Sequence, residues 1–145
     1  MLKLVFLTDK FYKDYSSCSE IEKKPNRPHV CVAFLIGDNL CCVPMRSHIT
    51  HRYAILTDEK NRCGLDFSKT VIITKPDLYI DTDRKPYIRP DEFKVFQDIS
   101  EYDVRAAMNK YLAQYRRAKQ RPDVPRNREF LQYSCLQYFE DLIEL

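Results

Sequence analysis

The chain has 145 residues, a net charge of +3, and 44% apolar and 12% aromatic residues, which is the composition of one globular domain spanning residues 1–145. Only two glycines occur, so a glycine-rich phosphate loop is excluded. No apolar run approaches the roughly 20 residues of a membrane span, and no signal peptide is evident. The six cysteines form no C-x-x-C pair, which favours reduced thiols and a cytoplasmic location.

The first half of the chain predicts mainly strands. Apolar and β-branched runs predict strands over residues 2–7, 29–36, 40–43, 53–56 and 70–73, with a short one at 79–80. Residues 37–39 predict a hairpin turn, and residues 11–22 a short helix. Two prolines exclude regular structure from residues 23–28. Residues 64–69 are expected to form a loop, and residues 74–92 a long surface excursion.

The second half predicts helices. Ser100 can cap a helix whose apolar positions follow helical spacing, and Pro122 and Pro125 end it. These apolar positions are Val104, Ala107, Met108, Tyr111, Leu112 and Tyr115. A last helix is expected over residues 127–142. Because strands precede helices, the predicted class is α+β, a mostly antiparallel sheet with helices packed on it.

Charge is segregated along the chain. Residues 105–128 carry eight basic side chains and one acidic one, a net charge of +7, which leaves −4 for the remainder. Such a stretch favours a polyanionic partner such as nucleic acid, although a solvated helix face is the ordinary alternative.

The segment Pro44–His51 collects the residue types that could carry chemistry. His48 and His51 suggest a metal site, but neighbouring ligands are lacking and Arg46 would repel a cation. Ser47 lacks the glycine-flanked turn of a serine hydrolase. Metal-free RNA cleavage fits better, since histidine can transfer protons and arginine can bind the phosphate. A surface turn with an exposed arginine remains the plain alternative.

Several blocks, in this order and spacing, resemble the toxins of type III toxin–antitoxin systems, the ToxN/AbiQ endoribonucleases and more closely their CptN relatives. The blocks are Asn26-Arg27-Pro28, Val43 to Ala54, Gly64 to Lys69, Tyr87-Ile88-Arg89 and Pro125-Arg126-Asn127. Together they span nearly the whole chain. The P-x-R-S-x-I-x-H block is the most specific of them. Where the ToxN branch has Thr-Ser-x-Lys after the proline, this chain has Arg46-Ser47 and later His51.

The resemblance implies a compact, twisted antiparallel sheet with flanking helices, similar to the MazF/Kid toxins. It implies an endoribonuclease without metal or other cofactor that leaves 2′,3′-cyclic phosphate and 5′-hydroxyl ends. It also implies a partner, a small antitoxin RNA folded as a pseudoknot, which the toxin processes and which holds several toxin subunits in a closed assembly. Cellular or phage RNA would be the other substrate.

The expected catalytic residues are His51 as general acid or base, Arg46 as phosphate clamp and Ser47 as a phosphate-positioning hydroxyl. Expected RNA contacts lie on the proline-bracketed loop, on the segment after Asp66 and on the basic helix, with His48 and a stacking tyrosine beside them. They are Lys24, Arg27, His48, Tyr53, Lys69, Arg116 and Arg117. The rival hypothesis is a non-enzymatic RNA-binding or adaptor protein that uses the basic helix over residues 101–121.

Overall fold

The computed structural model describes residues 2–21, 30–87 and 89–143, and its order of elements confirms the α+β class. The strands are β1 (Lys3–Leu7), β2 (Cys31–Ile36), β3 (Asn39–Arg46), β4 (Ala54–Asp58), β5 (Cys63–Asp66), β6 (Val71–Ile73) and β7 (Ile80–Asp81). The helices are α1 (Asp9–Asp14), α2 (Pro76–Tyr79), α3 (Pro90–Asp98), α4 (Glu101–Gln120) and α5 (Pro125–Tyr133).

The described strands form one open antiparallel sheet in the order β4-β5-β3-β2-β1-β7. The long strand β3 joins its two halves. Its first half pairs with β6, from Leu40 opposite Ile73 to Cys42 opposite Val71. Its second half pairs with β5, where Arg46 lies opposite Gly64. The β2–β3 pairing extends only to Pro44. Arg46 therefore lies beyond the end of β2, where β3 pairs with β5.

Helix α4 covers the sheet with one apolar stripe. Ser100 caps it as predicted, because its hydroxyl accepts the Asp103 N–H at 3.0 Å. The side chains buried along α4 are Val104, Met108, Tyr111, Leu112, Tyr115 and Ala118. All of these except Ala118 join the buried residues of β2 and β3 in one core. None of the helices in the described ranges has the length and apolar character needed to cross a bilayer.

Three predictions about local structure were wrong. Residues 64–69 form β5 and a 3-10 turn (Phe67–Lys69) rather than a loop. The last helix ends at Tyr133, because the Ser134 hydroxyl accepts the Leu136 N–H and starts a separate 3-10 turn. The excursion over residues 74–92 also contains the short helix α2 and the first residues of α3. Proline at the first turn of each of these helices is compatible with helix initiation.

Gly64 lies inside β5 because the neighbouring strand leaves no space for a side chain. A methyl group there would lie 2.1 Å from the Ile55 carbonyl oxygen and 2.7 Å from the Leu56 Cα. Glycine in this strand thus reflects a close approach of two backbones rather than a turn.

We predict that Gly64→Ala destabilises the protein by about 3 kcal/mol or more, because β4 and β5 must separate to admit the methyl group. Gly37→Ala is the matched control, since Gly37 has a φ of +58° but open space around it. It should cost only about 1 kcal/mol of backbone strain. Urea unfolding of both variants measures the difference, and equal losses would contradict the close approach.

Candidate functional site

A buried carboxylate joins the residues that the sequence singled out. Asp66, at the end of β5, is fully buried. Its Oδ2 accepts a hydrogen bond from Arg46 Nη1 at 2.8 Å, and its Oδ1 lies 3.0 Å from His51 Nε2. The Ser68 hydroxyl and backbone N–H donate to the same Oδ1 at 2.5 and 3.0 Å. These four residues, Arg46, His51, Asp66 and Ser68, are called the Asp66 cluster below.

Sheet register explains how the cluster forms. In the antiparallel ladders Arg46 pairs with Gly64, and Ala54 pairs with Asp66. Strand β5 therefore lies between Arg46, where the 46–53 loop begins, and Ala54, which follows that loop. The carboxylate of Asp66 therefore contacts residues near both ends of that loop, with Arg46 on one oxygen and His51 on the other.

The hydrogen bonds of His51 define its tautomer. The Tyr53 backbone N–H donates to His51 Nδ1 at 3.0 Å, so Nδ1 carries the lone pair. The proton of the neutral ring is then on Nε2, which faces Asp66 Oδ1 and, at 3.1 Å, the Ser68 hydroxyl oxygen. An imidazole whose far nitrogen donates to a carboxylate is held in one tautomer and one orientation, with the lone pair on the other nitrogen.

The electrostatics of Asp66 favour its ionised form despite burial. Burial alone would raise the pKa of this carboxyl, but the hydrogen bonds from His51, Ser68 and Arg46 outweigh it and lower the pKa to about 2. The charge of Asp66 is therefore present throughout the physiological pH range. It balances the Arg46 guanidinium, whose side chain is only 24% exposed.

Ser47 and His48 lie outside this cluster. Both are exposed, and neither side chain makes a hydrogen bond with any described residue. His48 adopts a left-handed backbone with a φ of 56°, which is uncommon for a residue other than glycine. It allows the chain to turn sharply between Arg46 and the buried Ile49. The predicted grouping of Arg46 with His51 is thus observed, whereas Ser68 rather than Ser47 supplies the hydroxyl of the cluster.

Arg62 clamps the loop that carries His51. It follows β4 in the turn before β5, and it also has a left-handed backbone, with a φ of 52°. Its Nε donates to the Ile49 carbonyl at 2.8 Å, and its Nη2 donates to the His51 carbonyl at 2.9 Å. Backbone bonds from His48 N to Asn61 O and from Ile49 N to Arg62 O complete the attachment.

The residues expected to contact RNA are dispersed. Lys24 and Arg27 lie outside the described residues. Lys69 is tied into the structure, because its Nζ donates to Glu20 Oε2 at 3.3 Å and to the Tyr133 carbonyl at 2.9 Å. Arg116 is half-buried, and Arg117 is exposed and donates to Gln114 at 2.8 Å.

Tyr53 is held in place by aromatic neighbours. Its ring makes edge-to-face contacts with Tyr111 and Phe130, at centroid distances of 5.6 and 5.0 Å. Together with Arg52 and Arg117 it borders a groove of about 290 Å³ beside α4. Tyr53 and Arg117 are the two predicted RNA-contacting residues that border this groove.

Sequence reasoning did not assign roles to Asp66, Ser68 or Arg62. A signal for the first two existed, because Asp two positions before Ser often accepts the serine backbone N–H in an Asx turn. That turn is present here. The sequence contains no such signal for Arg62, since its partners are backbone carbonyls thirteen and eleven residues away. In the described ranges, no group of three or more histidine, cysteine or acidic side chains could hold a metal ion.

Comparisons with protein-family models, with curated proteins and with solved structures found no match to this chain.

We predict that Asp66→Asn lowers the free energy of unfolding at pH 7 by about 3 kcal/mol, because the partly buried Arg46 guanidinium loses its buried counter-charge. The pH dependence gives a second test. Since folding lowers the pKa of Asp66, its stabilisation is present above the unfolded pKa near 4 and is lost as pH falls towards 2.

Between pH 5 and pH 2 the parent protein should therefore lose about 2 kcal/mol more than the D66N variant. Urea unfolding at several pH values measures this difference. Asp38→Asn, at an exposed turn position, is the control and should follow the parent curve. Parallel curves for the parent and D66N would contradict a charged, hydrogen-bonded Asp66.

We predict that Arg62→Ala loosens the 46–53 loop without unfolding the sheet. Two carbonyls lose charge-assisted hydrogen bonds, each of which contributes about 1.5–3 kcal/mol. Amide exchange at Ile49 and Tyr53 should accelerate, whereas exchange at Val32 in the core should not. Lys60→Ala, at an exposed position of the same turn, should leave all three amides unchanged. Unchanged exchange in R62A would show that the clamp does not hold the loop.

Proposed function

We propose that this protein is a metal-independent endoribonuclease of the type III toxin–antitoxin class, with a ToxN/AbiQ and CptN-like ancestry and a core similar to MazF/Kid toxins. One observation carries the proposal: the buried Asp66 carboxylate holds the Arg46 guanidinium and the His51 imidazole within 3.0 Å of its oxygens. The cluster supplies a phosphate-binding cation and an oriented base, which are two of the groups that cleavage by the ribose 2′-hydroxyl requires.

The proposed reaction uses the lone pair on His51 Nδ1. This nitrogen takes the proton of the substrate 2′-hydroxyl as the 2′-oxygen forms a bond to phosphorus. The bond from phosphorus to the 5′-oxygen breaks, and the 5′-oxygen takes a proton from water. The products are a 2′,3′-cyclic phosphate and a 5′-hydroxyl, and His51 later releases its proton to solvent. Asp66 stabilises the transient imidazolium, and Arg46 offsets the charge that develops on the phosphate.

This reaction requires one local exchange of hydrogen bonds. In the resting structure the Tyr53 N–H occupies His51 Nδ1 at 3.0 Å. The substrate hydroxyl must replace that N–H, which leaves Asp66 and Ser68 in contact with Nε2. The exposed Ser47 and His48 lie in the same 46–53 loop and would contact the RNA backbone from the solvent side.

The proposed partners follow from the same assignment. A pseudoknot antitoxin RNA would be processed by the toxin and would then hold several toxin subunits in an inactive, closed assembly. Cellular or phage RNA would be cut when that assembly is lost, and the protein would act in the cytoplasm. The net charge of +7 over residues 105–128 supports a polyanionic partner.

The second candidate function is RNA binding without cleavage. The observation that favours it is that both ring nitrogens of His51 are hydrogen-bonded, so the histidine could simply fasten its loop to Asp66 and Tyr53. The basic residues of α4 would then bind RNA with no chemistry beside them.

The decisive experiment compares His51→Gln with His48→Ala. Glutamine keeps an N–H donor for Asp66 but has no basic nitrogen, so H51Q should fold and yet lose about 100-fold or more of the cleavage rate. H48A, which removes only a proposed contact with the RNA backbone, should lose far less of the rate than H51Q. Purified protein is incubated with labelled RNA in the presence of a chelator, and the ends of the products are identified.

RNA with 2′-deoxyribose at the cut position should resist cleavage, because its nucleophile is missing. In bacteria, the parent protein should arrest growth and H51Q should not. Cleavage by H51Q at the parent rate would reject the assigned base. Tight RNA binding by the parent protein with no cleavage would favour the second candidate function.

A further inference from the structure

The groove beside α4 has features of a nucleotide subsite. It is called the α4 groove below and is bordered by Arg52, Tyr53, Phe67, Lys110, Gln114 and Arg117. Its volume of about 290 Å³ suits one base with its sugar rather than a folded domain. None of the described residues that border it is acidic.

Three cations of the α4 groove lack acidic partners. Arg52, Lys110 and Arg117 are exposed, and none of them pairs with a carboxylate of any described residue. Other basic residues of the same helix are already engaged. Arg105 donates to the Leu35 carbonyl, and Lys119 pairs with Glu140 at 3.2 Å. The unpaired positive charge of α4 is therefore concentrated where it borders the groove.

The polar rim of the groove presents donors. Arg117 donates to Gln114 Oε1 at 2.8 Å, which leaves the Gln114 amide nitrogen to face a ligand. Together with Lys110 and Arg52, these groups match a ligand rich in acceptor atoms. A phosphodiester provides such acceptors and also the negative charge.

An aromatic wall completes the groove. The Tyr53 ring is fixed by Tyr111 and Phe130, and the Arg52 guanidinium lies 5.3 Å from its centroid. A rigid ring beside a planar guanidinium offers a stacking surface for an unpaired base. The same ring lies 5.7 Å from the His51 ring, so a ligand here is next to the Asp66 cluster.

We infer that the α4 groove binds one nucleotide of single-stranded RNA, with its phosphate on Lys110 and Arg117 and its base against Tyr53 and Arg52. As a statement about substrate, the inference rests on the proposed function, because it places this nucleotide beside the phosphodiester that would be cleaved with His51 as the base. As a binding site, it can be tested without cleavage.

The test uses a 2′-O-methyl RNA hexamer, which cannot be cleaved because its 2′-oxygens carry no proton. Its affinity is measured by fluorescence anisotropy at several salt concentrations. The double variant Lys110→Gln plus Arg117→Gln should bind about tenfold more weakly or worse. Its slope of log affinity against log salt should be smaller by about 0.7, the value for one neutralised phosphate of a single strand.

The matched control removes two exposed lysines that do not border the groove, Lys13→Gln plus Lys94→Gln. It has the same net charge as the double groove variant and should bind like the parent. If both double variants bind equally, the subsite is rejected. Hexamers that carry one abasic residue at successive positions should bind about fivefold more weakly or worse at one position only. In the Arg52→Gln variant, the abasic residue at that position should no longer weaken binding.

Other outcomes are also decisive. One such outcome is that the abasic scan has no effect and that the double groove variant weakens binding of an oligoglutamate peptide as strongly as it weakens binding of RNA. The site would then bind acidic peptide, and the inference would be overturned. If the parent protein fails to cut unmodified RNA, the proposed function fails, yet the hexamer data still decide whether the groove binds a nucleotide.

Discussion

The ionised carboxylate of Asp66 is the constraint on which the candidate site depends. It lies inside the protein, where an unpaired charge is very costly, and four hydrogen bonds from Arg46, His51 and Ser68 offset that cost. The same bonds hold two polar side chains of the 46–53 loop in fixed positions. Structure and proposed chemistry are therefore coupled, since a change that removes the charge of Asp66 also releases the base and the guanidinium that the reaction would use.

Strand β3 explains why this carboxylate meets its partners. Its first half pairs with β6 and its second half with β5, so the strand leaves the central sheet before it ends at Arg46. Gly64 allows β4 to approach β5 closely, and the Ala54–Asp66 pair then returns the chain beside the cluster. The Arg62 clamp closes the loop from the opposite side. Arg46 and Asp66 thus lie at strand ends, which are held more rigidly than a free loop, and they fix the position of His51 in the loop.

The basic stretch of the sequence does not act as one surface in the folded protein. Some basic residues of α4 are engaged within the protein, since Arg105 donates to the Leu35 carbonyl and Lys119 pairs with Glu140. Lys110 and Arg117 remain exposed beside Tyr53, next to the Asp66 cluster. A net charge counted along the chain therefore overestimates the charge available to a partner. The useful quantity is the charge without an acidic partner among the described residues, and on α4 Lys110 and Arg117 supply it beside the α4 groove.

The sequence by itself determined the α+β class, most strands, the Ser100 cap and the apolar stripe of α4, because these depend on local periodicity and on nearest neighbours. It also brought Arg46 and His51 together as candidates. It misjudged residues 64–69 because a glycine in a strand and a glycine in a turn are indistinguishable without the opposing backbone. Only the tertiary structure decided that Asp66 and Ser68 complete the cluster, that Lys69 is tied to Glu20, and that Arg62 holds the loop. Apart from the Asx turn between Asp66 and Ser68, these contacts join residues that are distant in sequence, so no local pattern encodes them.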